Sequence, residues 1–198
     1  EYYTALLKNK QIFMFTFCSF NDYNSGIIKK FIFFLSFSVH YTVNALFFTE
    51  DNFHQIYEDN GSFNFTYQLP KILLSAIAST VFLRIILETL VLSDRNILQI
   101  KRQKTYMAAK MLEQKTLKYI NIKFALFFII NFILLVLFWY YLTIFNALYA
   151  NSQVYLIENT AISFAISLFF PVFWNIIPSM LRICSLGSKI GRASSRER

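Results

Sequence analysis

Four predominantly apolar runs, each about long enough to cross a bilayer as a helix, restrict this chain more than any other feature. A hydrocarbon core about 30 Å thick needs roughly 20 helical residues, and soluble domains rarely contain one such run, let alone four. The runs are Phe31 to Phe48, about Ile72 to Leu92, Phe124 to Leu142 and about Ala161 to Leu181. Lys29 and Lys30 open the first, and Thr49, Glu50 and Asp51 close it. The fourth contains Pro171 and Pro178, which would break a soluble helix but only kink a membrane helix whose neighbours satisfy the freed carbonyls. With 56% hydrophobic and 15% charged residues, too little charged surface remains for a soluble domain of 198 residues. The expected fold is all-α: a polytopic helical membrane protein with four transmembrane helices.

Lysine and arginine in the connections set the expected orientation. The Thr49 to Leu69 connection holds Glu50, Asp51, Glu58 and Asp59 and no basic residue, and the Thr143 to Thr160 connection holds only Glu158, so both belong outside. Between Ser93 and Lys123 stand eight basic residues against Asp94 and Glu113, a net of +6, and this connection belongs in the cytoplasm with both termini. The chain's two N-x-S/T sequons, at Asn60 and Asn64, both fall in the acidic outer connection and are the expected glycosylation sites. Trp139, Tyr140 and Tyr141 suit an interfacial aromatic belt at the outer end of the third span.

The basic connection also carries Ile97, Leu98, Ile100, Met107, Met111, Leu112, Leu117 and Ile120, a mixture that predicts an amphipathic helical hairpin against anionic inner-leaflet lipids. Nucleic acid is not an expected partner for a loop held between two spans. Residues 1–30 form an expected cytoplasmic or interfacial segment, in which Gln11 to Phe20 is apolar but too short to span. Glu1 is no initiator methionine, and the chain is expected to begin inside a longer protein. Lys189 to Arg198 (KIGRASSRER) resembles a translated sequencing adapter, and setting it aside lowers the formal charge from +8 to +5. Cys18 and Cys184 both fall on the expected cytoplasmic side, so no disulfide is expected.

Polar residues inside the spans are the candidates for function, because lipid solvates them poorly. Ser36, His40 and Asn44 recur every four residues and share a face of the first span. In the second span Thr80, Arg84 and Glu88 share one face, while Ser75 and Ser79 form a small-xxx-small patch on the other, suited to close helix approach. Asn131 and Asn175 could join the same polar network from the third and fourth spans. Each of these residues has a plain alternative use in helix packing, where interhelical hydrogen bonds contribute on the order of 1 kcal/mol apiece.

Phosphate-binding glycine loops, the HExxH and CxxC metal motifs and the GxSxG nucleophile motif are all missing from the sequence, and no cofactor, catalytic residue or metal site is expected. His54 among Glu50, Asp51, Glu58 and Asp59 makes at most a weak outer cation site. The segments Asn21-Asp22-Tyr23-Asn24-Ser25, Tyr41 to Phe48, His54 to Asn64 and Leu92 to Ile97 give the stretch from Asn21 to about Ile100 a likeness. It resembles uncharacterised multi-pass transmembrane proteins of protists, ciliates especially. In that group such a block implies the membrane-embedded end of a longer chain, and it implies no activity. Two functions therefore compete. One is a non-enzymatic anchor or scaffold region of a larger membrane protein, open to homo-oligomer formation. The other is a channel or transporter subunit in which His40, Asn44, Arg84 and Glu88 face a shared cavity. Where the polar stripe points distinguishes them.

Overall fold

The computed structural model describes residues 16–17, 24–58, 65–169 and 180–181, which are helical apart from short turns. Helix α1 (Gly26–Leu46) begins where Ser25 accepts a hydrogen bond from the Ile28 amide at 3.4 Å, satisfying one of the free N–H groups of the first turn. A short helix α2 (Glu50–Glu58) follows, with Glu50 and Asp51 at its N-terminus where the helix dipole favours acid. Helix α3 (Phe65–Ile86) passes into a π-helical turn (Leu87–Val91), after which come α4 (Asp94–Lys101) and α5 (Tyr106–Leu148). A 3-10 turn (Ala150–Ser152) leads into α6, residues 153–169.

Among the described residues three helices are long and apolar enough to cross a membrane: Gly26–Leu46, the nearly continuous Phe65–Lys101, and Tyr106–Leu148. The first three expected spans thus lie in helices, though with different limits. The second helix starts seven residues before Ile72, ahead of Pro70, and the third starts far earlier than Phe124. Of the fourth expected span, 161–169 and 180–181 are helical, and the rest, with Pro171, Asn175 and Pro178, lies outside the described residues.

Side-chain contacts fix the helix directions. Phe31 meets Phe128 (5.5 Å) and Phe48 meets Phe145 (5.9 Å), so α1 and α5 run the same way. Near the start of α3, Lys71 donates to Asn52 and Thr49; beyond its end, Lys123 of α5 donates to the Leu92 carbonyl and the Ser93 hydroxyl, so α3 runs opposite to both. Helix α6 also runs opposite to α1, with Tyr155 beside Phe48 and Phe164 beside Phe33. The connections containing α2 and the 3-10 turn consequently share one end of the bundle, where Phe53 stacks on Tyr149 at 4.4 Å. The turn into α4 and the start of α1 share the other.

Two apolar clusters hold the helices together. One joins Ile28, Ile32, Leu35 and Val39 of α1 to Leu83, Ile86, Leu87, Val91 and Phe127, and the other joins Tyr41, Ala45, Leu142, Phe145 and Leu156. Outside them the surface is as apolar as the core: Ile129, Phe132, Ile133, Val136 and Leu137 of α5 are all more than half exposed. A water-soluble protein does not expose such a continuous apolar belt, whereas a bilayer solvates it. Among the described residues, an all-helical structure with this belt and three helices long and apolar enough to span is compatible with an integral membrane location.

The basic connection departs from its expected form. A helical hairpin is present, with α4 packed on α5, but its second arm is the beginning of α5 itself. Forty-three residues make a rod about 64 Å long, roughly twice the hydrocarbon thickness. The exposed Lys110, Lys115 and Lys118 therefore stand on a continuation of the third span, with no break that would let this arm fold flat independently of it. At the other end α5 runs on past Tyr141 to Leu148, so Trp139 and Tyr140 sit inside the helix and not at its end.

Candidate functional site

Between the two apolar clusters the bundle holds a polar layer built largely from α1. Ser36, His40 and Asn44 recur every fourth residue, and the helix turns all three inward, leaving Ser36 and His40 with no exposed surface and Asn44 with 6%. His40 Nδ1 lies 2.8 Å from the Ser36 carbonyl oxygen, and because a carbonyl can only accept, Nδ1 carries the proton and Nε2 the lone pair. The edge of Phe164 meets the imidazole at 5.4 Å, so an aromatic ring from α6 covers it. One turn on, Asn44 Nδ2 donates to the His40 carbonyl (2.8 Å) and across the helix interface to Ser163 Oγ (2.7 Å).

Helix α6 continues the chain of bonds. Ser163 Oγ donates to the Thr160 carbonyl at 3.2 Å, and Thr160 Oγ1 donates to Leu156 at 2.7 Å. On α1, Ser38 and Thr42 satisfy their hydroxyls against the carbonyls four residues back, at 3.0 and 2.9 Å. From α3, Ser75 and Ser79 are fully buried, as their small-xxx-small spacing predicts. Asn131 of α5 is buried as well, at 1% exposure. The Ser36, Ser75 and Ser79 hydroxyls, His40 Nε2 and both amide atoms of Asn131 find no hydrogen-bond partner among the described residues.

The structure divides the sequence candidates into two groups. Ser36, His40, Asn44, Ser75, Ser79 and Asn131 point into the bundle. Arg84 and Glu88 do not join them. Arg84 Nε donates to Glu88 Oε1 at 2.7 Å, as their spacing allows, but the two side chains are 53% and 54% exposed on the outer face of α3. A cavity shared by His40, Asn44, Arg84 and Glu88 is therefore not what the fold builds. Asn175 and both sequons, Asn60 and Asn64, lie outside the described residues.

Three contributors escaped the sequence analysis. Ser163 and Thr160 are signalled only by modest polarity at the start of the fourth span. Lys123 looks like one more basic loop residue, yet it is 8% exposed and tethers the turn after α3. Its charge near the C-terminal end of a helix is favourably placed against the helix dipole.

Chemically the layer ties α1 to α6 through the Asn44 to Ser163 bond. His40 has no acidic neighbour in its hydrogen bonds, and among the described residues no group of three or more His, Cys, Asp or Glu is placed to hold a metal ion. His54 of the expected cation cluster pairs with its helix neighbour Glu58 at 3.2 Å, both side chains largely exposed. Hollows among the described residues include an open one of about 620 Å³ between α2 and the 3-10 turn and an apolar one of about 210 Å³ between α3 and α6. His40, Asn44, Arg84 and Glu88 line neither. No protein-family model, curated protein or solved structure matches this chain.

Proposed function

We propose that this chain is the membrane-embedded region of a larger multi-pass protein, a non-enzymatic anchor or scaffold of four transmembrane helices with both termini in the cytoplasm. The observation that carries it is the Asn44 to Ser163 hydrogen bond. It commits the last polar group of the α1 stripe to a neighbouring helix, inside packed protein and lining neither of the hollows described above. The expected fourth span begins in α6, and the alternating directions of α1, α3, α5 and α6 are those of a chain returning to the side from which it entered. The +6 connection then faces the cytoplasm, where its lysines meet anionic lipid headgroups.

A second reading, a channel or transporter subunit, draws support from the buried polar atoms that lack partners, since water in a conducting state would satisfy them. Labelling separates the two. Ser36→Cys, in a chain whose Cys18 and Cys184 are replaced by serine, is treated in intact vesicles with a membrane-impermeant thiosulfonate. An anchor leaves this thiol unlabelled until the protein is unfolded. Labelling at the rate of a cysteine placed in the outer connection, together with ion flux through reconstituted vesicles, would replace the anchor with a conduction path.

A further inference from the structure

The outward face of α3 carries a pattern that lipid contact does not account for. Leu74, Ile77, Val81, Arg84 and Glu88 follow one another at intervals of 3, 4, 3 and 4 residues, the seam of a left-handed pair of helices. Leu74, Ile77 and Val81 are 51%, 59% and 54% exposed, and the Arg84 and Glu88 side chains 53% and 54%. The seam also has a structural end. The same spacing would place Val91 next, but the π turn over Leu87–Val91 adds a residue to the turn and swings Val91 into the core, where its exposure is 0%.

A bilayer solvates the apolar part of this stripe unaided. The ion pair is different, because Arg84 stands about 13 Å along the helix from Ser93, well inside the hydrocarbon. Its bond to Glu88 uses only the Nε hydrogen, so four of the five guanidinium donors have no protein acceptor among the described residues.

We infer that this face docks a second copy of the same chain, α3 against α3, about a two-fold axis along the bilayer normal. Charge complementarity selects this occupant. Copies inserted the same way hold their α3 helices parallel and at equal depth, so that each Arg84 faces the partner's Arg84 and reaches the partner's Glu88 one turn away, about 6 Å along the axis. Four charges then sum to zero inside one interface, and the spare guanidinium donors gain carboxylate acceptors. The surface beside the seam has room for the partner's side chains. The 210 Å³ hollow between α3 and α6 is bordered by Ala76, Ile77, Thr80, Val81 and Ser167, and it is apolar because both hydroxyls are turned back to their own helices. Thr80 Oγ1 donates to Ala76 at 2.7 Å and Ser167 Oγ to Phe164 at 2.8 Å. A Leu74 or Ile77 side chain of the partner fits such a hollow as a knob fits a hole.

The inference rests on the membrane reading, but it can fail separately from the anchor proposal, which concerns the inside of one chain. The test uses the full chain with Cys18 and Cys184 replaced by serine, reconstituted at low density in phosphatidylcholine vesicles and oxidised. Ile77→Cys should form disulfide-linked dimers, whereas Phe132→Cys, 69% exposed on the apolar face of α5, should form them only at the rate of random collision. Equal cross-linking at the two sites overturns the inference. In the Ile77→Cys chain, Arg84→Leu alone and Glu88→Leu alone should each weaken dimer formation about tenfold, near the upper range for polar contacts between membrane helices. Mixing these two variants restores one Arg84 to Glu88 pair between chains, so the mixture should cross-link more than either variant alone. A mixture no better than its components also overturns it, and because the comparison with Phe132→Cys uses intact charges, the test does not depend on either variant folding.

Discussion

If the polar layer is a packed helix junction, Asn44 and Ser163 must be energetically coupled. Asn44 Nδ2 makes two bonds, to the His40 carbonyl within its own helix and to Ser163 Oγ across the interface. Asn44→Ala removes both and opens a small void, whereas Ser163→Ala removes only the second along with the Ser163 to Thr160 bond. A double-mutant cycle cancels the void and the intrahelical terms, leaving the 2.7 Å cross-helix bond. Such bonds between membrane helices average about 0.6 kcal/mol and reach about 1.7. This one is short, fully enclosed and continued by Ser163 into α6, so a coupling of about 1 kcal/mol is expected, about a fivefold change in the folding equilibrium. The assay is reversible unfolding in mixed micelles, titrated with a denaturing detergent and followed by tryptophan fluorescence or circular dichroism. A hydrated path would give another result, since water would replace each lost partner and the single effects would simply add. A coupling smaller than about 0.3 kcal/mol would refute the packed junction.

Lys123→Met should destabilise the turn between α3 and α4 by about 1 to 2 kcal/mol, because the Leu92 carbonyl and Ser93 hydroxyl lose a charged donor near a helix C-terminus. Faster amide exchange across residues 94–101, with exchange in α1 unchanged, is the expected signature, and exchange unaltered throughout would dismiss the tether. On topology, a reporter within 93–123 should be cytoplasmic and one within 49–69 luminal or extracellular, with glycan on Asn60 in a eukaryotic host. Both reporters on one side, or a mobility that neither glycosidase nor Asn60→Gln alters, would count against the orientation.

Most of the helical architecture was legible because membrane solvation leaves a coarse imprint. Residues facing lipid and residues facing protein are both apolar here, so a span shows as an unbroken run, and the run does not reveal which side is which. That is why Phe31 to Phe48 appears almost intact as α1 while the limits of the other spans shift. The start of α3 at Phe65 and of α5 at Tyr106 fall in polar sequence, where hydropathy sees a loop. Helix propensity decides there. Residues 106–123 are rich in Ala, Met, Leu, Lys, Glu and Gln and have no Gly or Pro, so nothing there stops the helix of the third expected span from extending back to Tyr106.

The polar residues divide by the same logic. A four-residue spacing put Ser36, His40 and Asn44 on one face, and their inward direction follows from α1 packing against three other helices, which leaves lipid only a narrow strip. For α3 the spacing was equally clear but ambiguous in direction: Ser75 and Ser79 on one side and Arg84 and Glu88 on the other are both faces a membrane helix would be expected to hide. Only one could turn inward. The serines did, since a hydroxyl without a bulky side chain lets α3 approach its neighbours closely, whereas a buried Arg and Glu would have forced the bundle apart to make room for their volume. The charged face was thereby left outside a single chain, and no pattern within one copy could show what would cover it. Periodicity names the members of a face, packing decides which face is interior, and the face left over is where a second molecule has to be sought.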